Sequence, residues 1–400
     1  MKVEFEEDDY FCPGFKAAGI SSGIKKAGKK DLALIVSEVS AVSAGVFTTN
    51  KVKAAPVIAA KKRLQRLLHR AILINSGNAN ACTGDKGMDN AMKAVDAVEV
   101  ESGLKRGELL PCATGVIGVP LPADRIVSAA PLLVSSLGKR GWLDAAQAIM
   151  TTDAFPKICK KKARIKGKDI TVLGIAKGAG MICPDMATML AFFATDACVE
   201  RTALKGALKE AVDMSFNRIS VDGDTSTNDT VIVLANGVSG IKELRQGTAG
   251  FKRFSSLLTD AAKELSYMIV RDGEGATRFI EIRVSGAKTK KDADMAARTV
   301  ANSLLVKTAF FGGDPNWGRI MAALGRSRIM LEESRVGITF NNVKVVSKGM
   351  DTGKEKSAAE AIKTREVIVR IDLGLGDYST SFWTSDIGHE YVRINSAYRT

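Results

Sequence analysis

The chain has 400 residues, of which 46% are hydrophobic and 26% charged, with a formal net charge of +14, a pI near 9.4 and a mean hydropathy of +0.03. This balance excludes a disordered chain, which needs more charge and less aliphatic content. No apolar run approaches the roughly 18 residues of a membrane-spanning helix, so a membrane span is excluded as well.

The acidic opening Met1–Asp9 has no apolar core of the kind a targeting peptide carries, and a cytoplasmic protein is expected. Glycine-rich stretches around Pro13-Gly14-Phe15 and Gly19–Gly23 predict extended segments and turns, and Asp31–Val36 a strand. Between Lys51 and Arg70 seven lysines and arginines occur without an acid. Leu64, Leu67 and Leu68 recur there at helical spacing, which predicts an amphipathic surface helix. The segment lacks interleaved aromatic residues, and the chain has no zinc-finger or RNP pattern. Anionic small molecules are therefore expected as partners rather than nucleic acid or membrane.

Ala71–Asn75 reads as a strand running into Ser76-Gly77-Asn78-Ala79-Asn80. Residues 89–101 read as a helix through Ala91, Ala94, Val95 and Val98. Leu109–Ile117 resembles a strand interrupted by Thr114-Gly115, and residues 130–150 have helical composition. A hairpin is expected over 163–174. Met186–Asp196 is a nearly continuous apolar run bounded by turn formers, as in a buried strand, and Thr188 is the polar residue near its beginning. Beyond it come a helix at 200–216, a strand at 230–235, a helix at about 255–270, a strand at 277–285 and a helical segment at 289–306. Further strands are expected near 366–373 and 390–395. The alternation predicts an α/β protein in two intimately packed halves.

Six cysteines lie far apart and form no zinc spacing, so they read as core thiols. The two histidines, His69 and His389, match no metal motif. Asp222–Asp229 departs from a calcium loop, with Thr227 at the glycine position and Val233 at the glutamate position. No phosphate loop, dinucleotide fingerprint or serine elbow is present. What remains is hydroxyl and glycine chemistry without a histidine base. Thr188 follows the small Ala187, and Gly178, Gly180 and Pro184 permit an unusual backbone path. Attack of the Thr188 hydroxyl on the Ala187 carbonyl would leave an ester that water can cleave. The freed α-amine, with an ordinary pKa of about 7.7–8.0, could then serve as base for its own hydroxyl. Thr114-Gly115 could supply a hydroxyl and a backbone N–H to an oxyanion.

Several separated strings resemble the ornithine acetyltransferase (glutamate N-acetyltransferase) family of arginine biosynthesis over nearly the full chain. They are Asn75–Gly84, Thr114–Gly118, Lys177–Leu190, Phe216–Asp229, Asp272–Thr277 and Gly313–Arg319. Cys183 stands where the family usually has a small residue such as alanine, and Asp185 where asparagine also occurs. The resemblance implies autocleavage between Ala187 and Thr188, giving an α chain of residues 1–187 and a β chain of residues 188–400, assembled as α2β2. It implies a layered α-β-β-α fold that looks like the N-terminal-nucleophile hydrolases but differs in topology. Thr188 matches the nucleophile, Thr114 and Gly115 the oxyanion pair, and Thr151, Lys177, Thr188, Glu274, Asn395 and Thr400 the substrate contacts. Thr152 adjoins Thr151, and the sequence leaves that choice open. The implied reaction is ping-pong transfer of acetyl from N-acetylornithine to glutamate, with no required cofactor and no metal. Whether acetyl-CoA is a second donor stays open, and a self-processing amidase is the nearest alternative.

Overall fold

The computed structural model of the chain describes residues 10–26, 28–183 and 189–397. Its first elements are β1 (Phe15–Ile20), β2 (Leu32–Phe47), α1 (Ala55–Arg63), β3 (Leu68–Asn78), α2 (Gly84–Glu101) and β4 (Leu109–Val116). Then come α3 (Ala123–Ser135), α4 (Trp142–Ala148), β5 (Lys157–Ile165), β6 (Lys168–Lys177), β7 (Leu190–Thr195), α5 (Arg201–Asp213), β8 (Ile219–Ser220) and β9 (Thr230–Ala235). The remainder holds α6 (Ala249–Arg271), β10 (Phe279–Ala287), α7 (Lys290–Ala301), α8 (Leu304–Phe311), α9 (Trp317–Gly325), β11 (Gly337–Phe340) and β12 (Val343–Ser347). It ends with β13 (Met350–Asp351), α10 (Glu355–Ala361), β14 (Glu366–Asp372), β15 (Tyr378–Ser385) and α11 (His389–Ala397).

The α/β class is as expected. The strands form two sheets, one running β4-β3-β2-β9-β7-β6-β5 with β1 beside β2, the other β13-β12-β11-β14-β10-β15-β8. β2 ties the first sheet together. Residues 32–37 pair with β1, residues 32–36 also with β3, and after a register shift between Val36 and Ala41 residues 42–47 pair with β9. Side chains alternate across each strand, so each strand joins two apolar clusters. Val172, Phe193 and Val233 pack with α5 and α6, whereas Leu173, Phe192 and Leu234 pack with Ile72, Ile74 and the α4 residue Trp142. Leu34, Leu73 and Leu109 meet α2 and α3 on a further face. Outermost β5 carries Lys160, Lys161, Lys162 and Arg164 on an edge, charges that discourage pairing with another chain. In the second sheet α7 to α10 cover one face, through Val300, Phe310, Leu324 and Ala358.

Three expectations change. The basic 51–70 stretch is not one surface helix. Pro56 sits at the start of α1, whose Ala55, Val57, Ala59 and Ala60 are buried, and the helix ends at Arg63. Leu68 and His69 then pair with Val42 and Ala41, which draws the chain into β3. Its charges brace the fold, since Arg63 donates to Glu99 at 2.6 Å and Arg70 to the Ser37 and Glu38 carbonyls. Residues 390–395 belong to helix α11 rather than a strand. Glu390 pairs with Arg393 at 2.5 Å across one turn, and Val392 faces solvent, so the apolar spacing buries nothing there. The 130–150 stretch is helical as its composition predicts, in two helices broken around Gly138 and Gly141. Of the thiols, Cys12, Cys112 and Cys159 are buried, but Cys82 is exposed and Cys183 and Cys198 are half-buried.

His69 is a buried strut. Its Nδ1 accepts from the Ser43 hydroxyl at 2.7 Å while Nε2 donates to the Arg63 carbonyl at 3.0 Å. Burial lowers its pKa from 6.5 to about 4. The unfolded imidazole therefore takes up a proton near pH 6.5 that the folded one refuses until about pH 4, and stability falls as pH drops through that window, by up to roughly 3 kcal/mol. Thermal melts of wild type and His69→Asn should differ most at pH 7 and converge toward pH 4. A constant difference across the series would contradict this account.

Candidate active site

A cavity of about 210 Å3 is lined by Thr114, Gly115, Thr151, Thr152, Lys177 and Glu274, together with Gly180, Asp222, Asp224, Tyr391 and Asn395. The structure thus brings together Thr114, Gly115, Thr151, Lys177, Glu274 and Asn395, the site residues named from sequence that fall among the described residues. Thr151 and Thr152 both line the cavity. Ala187, Thr188 and Thr400 lie outside the described residues, as do Pro184 and Asp185.

Thr114 and Gly115 close β4 against β3. The two strands run parallel and their register shifts at Gly77 and Asn78. Gly115 has φ +133°, and a Cβ there would collide with the Gly77 and Asn78 backbone, so only glycine lets the strands approach this closely. Asn228 secures the end of β4 from the other side, donating through Nδ2 to the carbonyls of Ala79 at 2.7 Å and Ala113 at 2.9 Å.

Lys177 ends β6 and is buried. Its ammonium donates to Thr114 Oγ1 at 3.3 Å, which leaves the threonine's own hydrogen free to turn into the cavity. Burial lowers the Lys177 pKa from the usual lysine value, with the Asp153 carboxylate opposing the shift. After Lys177 the chain turns sharply. Gly178 has φ +148° and Met181 φ +57°, and the turn is pinned by Asp222, whose carboxylate accepts from Met181 N at 2.5 Å and Ile182 N at 2.9 Å. Burial raises the Asp222 pKa above the ordinary carboxyl value.

Glu274 brings negative charge to the same cavity. Its backbone N–H donates to the Ala179 carbonyl at 2.9 Å, and its carboxylate lies over Gly180, where any Cβ would overlap it. Asn395 Nδ2 donates to Glu274 Oε2 at 2.7 Å, and one helical turn earlier Tyr391 donates to Asp222 Oδ2 at 3.3 Å. At the start of β7, Met189 N donates to Asp229 Oδ1 at 3.1 Å, and burial raises the Asp229 pKa well above the usual range. A lysine and several carboxyl groups around a small cavity suit an amino acid, whose carboxylate and ammonium need opposite partners.

Asp222, Asp224 and Tyr391 were not singled out as lining residues. The density of Asp, Ser, Thr and Asn between Ser220 and Asp229 was their signal. Tyr391 was outside the strings that carried the reading, and helix α11 sets it one turn before Asn395 on the cavity side.

The ArgJ family profile matches residues 16–400. An arginine biosynthesis bifunctional protein ArgJ from Geobacter sulfurreducens is 48% identical over 97% of this chain and 99% of its own length. Among solved structures, an arginine biosynthesis bifunctional protein from Bacillus halodurans is 37% identical with a TM-score of 0.50, covering 52% of this chain and 98% of its own. An ornithine acetyltransferase from Mycobacterium tuberculosis, complexed with ornithine, is 35% identical with a TM-score of 0.39, covering 45% of this chain and 96% of its own.

A Gly180→Ala variant tests the site geometry. The added methyl must displace the Glu274 carboxylate, so amino-acid affinity measured by calorimetry should fall about 10- to 100-fold, the worth of a charge-assisted hydrogen bond, with the melting temperature little changed. Unaltered affinity would mean that Glu274 does not hold the ligand.

Proposed function

The chain belongs to the ArgJ family, and on that premise we propose that it cuts itself before Thr188 and carries acetyl on that threonine. It acts as an ornithine acetyltransferase, equally a glutamate N-acetyltransferase, in arginine biosynthesis. The observation that carries the proposal is the convergence of Thr114, Gly115, Thr151, Lys177, Glu274 and Asn395 on one cavity from separate parts of the chain. The stacked apolar clusters support the layered α-β-β-α arrangement. The two products of the cut are residues 1–187 and 188–400.

In processing, the Thr188 hydroxyl attacks the Ala187 carbonyl carbon. The bond to the Thr188 nitrogen breaks, that nitrogen takes the hydroxyl proton, and water hydrolyses the resulting ester. In turnover, the free α-amine takes the Thr188 Oγ proton as the oxygen attacks the acetyl carbonyl of N-acetylornithine. Thr114 Oγ–H and Gly115 N–H donate to the oxyanion, and the proton leaves on the departing ornithine amine. The amine of glutamate then attacks the acetyl-threonine ester and gives a proton to the Thr188 amine, which passes it to Oγ as the bond from Oγ to the acetyl carbon breaks. Lys177 holds a substrate carboxylate and Glu274 an ammonium, with Asn395 fixing the Glu274 carboxylate. Thr151 or Thr152 and the terminal carboxylate of Thr400 complete the contacts. The assembly is α2β2. Acetyl-CoA as a second donor would use the same ester, and no further residue is assigned to it.

Intact mass spectrometry tests this directly. Wild type should yield chains of roughly 20 and 23 kDa, the heavier gaining about 42 Da with acetylornithine, whereas Thr188→Ala should remain whole and unacetylated. A Thr188→Ala protein that still divides at this point sinks the proposal. Thr114→Ala should lower turnover roughly 100- to 1000-fold. Release of acetate in place of acetylglutamate would favour an amidase.

A further inference from the structure

Behind the cavity lies a buried group of charges to which the reaction steps give no role. Lys157, fully shielded from solvent, donates to Asp153 Oδ1 and to Asp272 Oδ2, both at 2.6 Å. Asp153 Oδ1 also accepts from Gly178 N at 2.7 Å, and its Oδ2 from Thr151 N at 2.9 Å. Asp272 Oδ2 accepts from Ala154 N at 3.0 Å. The triad therefore binds three backbone segments to one another. The first carries Thr151 and Thr152, the second Lys177 and Gly180, and the third Glu274, and each contributes to the cavity wall. On the outer side, Lys25 Nζ donates to the Met150 carbonyl at 2.6 Å and holds the first segment from its other end.

Stability alone does not account for this arrangement, because buried ion pairs are often replaced by apolar side chains without loss. The position of its hydrogen bonds does account for it. Apart from a 3.5 Å approach of Lys157 Nζ to the Phe155 carbonyl, every backbone group it engages lies within two residues of a side chain that faces the cavity.

We infer that Asp153 is a positioning residue, acting with Lys157 and Asp272 to set the spacing of Thr151, Lys177 and Glu274 and so the affinity for the amino-acid substrates. The inference rests on the acetyl-transfer reading of the same cavity. Asp153 is the demanding member, since both of its oxygens accept from backbone N–H groups. An asparagine there turns an NH2 toward one of those donors. Asp272 takes the Lys157 bond and the shorter Ala154 bond on Oδ2, with Ala154 N 3.3 Å from Oδ1, so an asparagine in its place can keep the two short bonds but loses the charge that pairs with Lys157.

The test uses the full-length, self-processed protein. Ornithine affinity is measured by calorimetry, KM and kcat with acetylornithine and glutamate, and folding by thermal melts. Asp153→Asn should raise the ornithine Kd and the KM about 10- to 100-fold while kcat stays within about threefold, and Asp272→Asn should raise both about three- to tenfold. A folded Asp153→Asn enzyme with wild-type Kd and KM overturns the inference. A fall in kcat that only tracks lost folded protein, at unchanged KM, overturns it too. Where Asp153→Asn does not accumulate folded, Asp272→Asn decides, with a KM raised threefold or more in support and an unchanged KM against. Wild type that makes no acetylglutamate refutes the acetyl-transfer reading instead, a result separable from the comparison of variants.

Discussion

The six residues of β7, Leu190–Thr195, are all buried and hydrogen-bonded along both edges, antiparallel to β6 and parallel to β9. β9 in turn pairs with the second half of β2. The strand that begins just after the proposed cut is therefore central in a sheet whose other members come largely from residues before it. Its side chains divide between two cores, Phe193 toward α5 and α6 and Phe192 toward Trp142 and the β3 residues. Each such aromatic side chain is worth roughly 2–3 kcal/mol on burial. Breaking one peptide bond ahead of this strand removes chain connectivity and leaves these contacts in place. The proposed new chain would thus begin two residues ahead of a strand held along both edges.

The same construction explains why the cavity draws on so many segments. Parallel pairing of β3 with β4 ends at Gly77 and Gly115, β6 ends at Lys177, and the chain after α6 delivers Glu274 across the Ala179 carbonyl. None of these segments could hold its side chain alone, because each is the irregular end of a regular element. Glycines at 115, 178 and 180 let backbones and a carboxylate approach where a Cβ would intrude or the φ would be unfavourable. Charges then fix what the backbone brings near, with Asp222 on the Met181 turn and the Asp153–Lys157–Asp272 triad beneath it.

Much of this was legible in the sequence where the physics is local. β9 matches its predicted bounds, and the α2, β4 and β10 readings differ at their ends by several residues at most, because alternation and helical spacing report burial directly. The α6 and β2 readings fell short. β2 continues past the exposed Glu38-Val39-Ser40 to residues 42–47, whose partners in β9 lie far along the chain, so no local pattern announces them. α11 was misread because an exposed helix carries no buried stripe to reveal its period. Thr114-Gly115 offered a weak pattern of its own, but Lys177, Glu274 and Asn395 came from resemblance, since they are ordinary residues until the fold makes them neighbours. The buried triad lay beyond reach for the same reason. Asp153 and Lys157 have helical spacing, but Asp153 stands in an irregular segment, Lys157 opens β5, and the third member, Asp272, lies more than a hundred residues on.

The charged cavity also bears on why acetyl should pass to an amine rather than to water. Water competes at about 55 M, and a free amino acid at millimolar concentration would lose to it by numbers alone. A reactant held in line can reach effective molarities on the order of 10⁵ M or more, enough to reverse that ratio. Such holding requires fixed partners at both ends of the acceptor, and Lys177 and Glu274 offer opposite charges within a space of about 210 Å3. An amidase gains nothing from gripping its acceptor, because water has no ends to grip. In the proposed reaction, the two charged groups do more than recognise substrate. They keep the acceptor amine against the ester, and an occupied cavity has little room left for water.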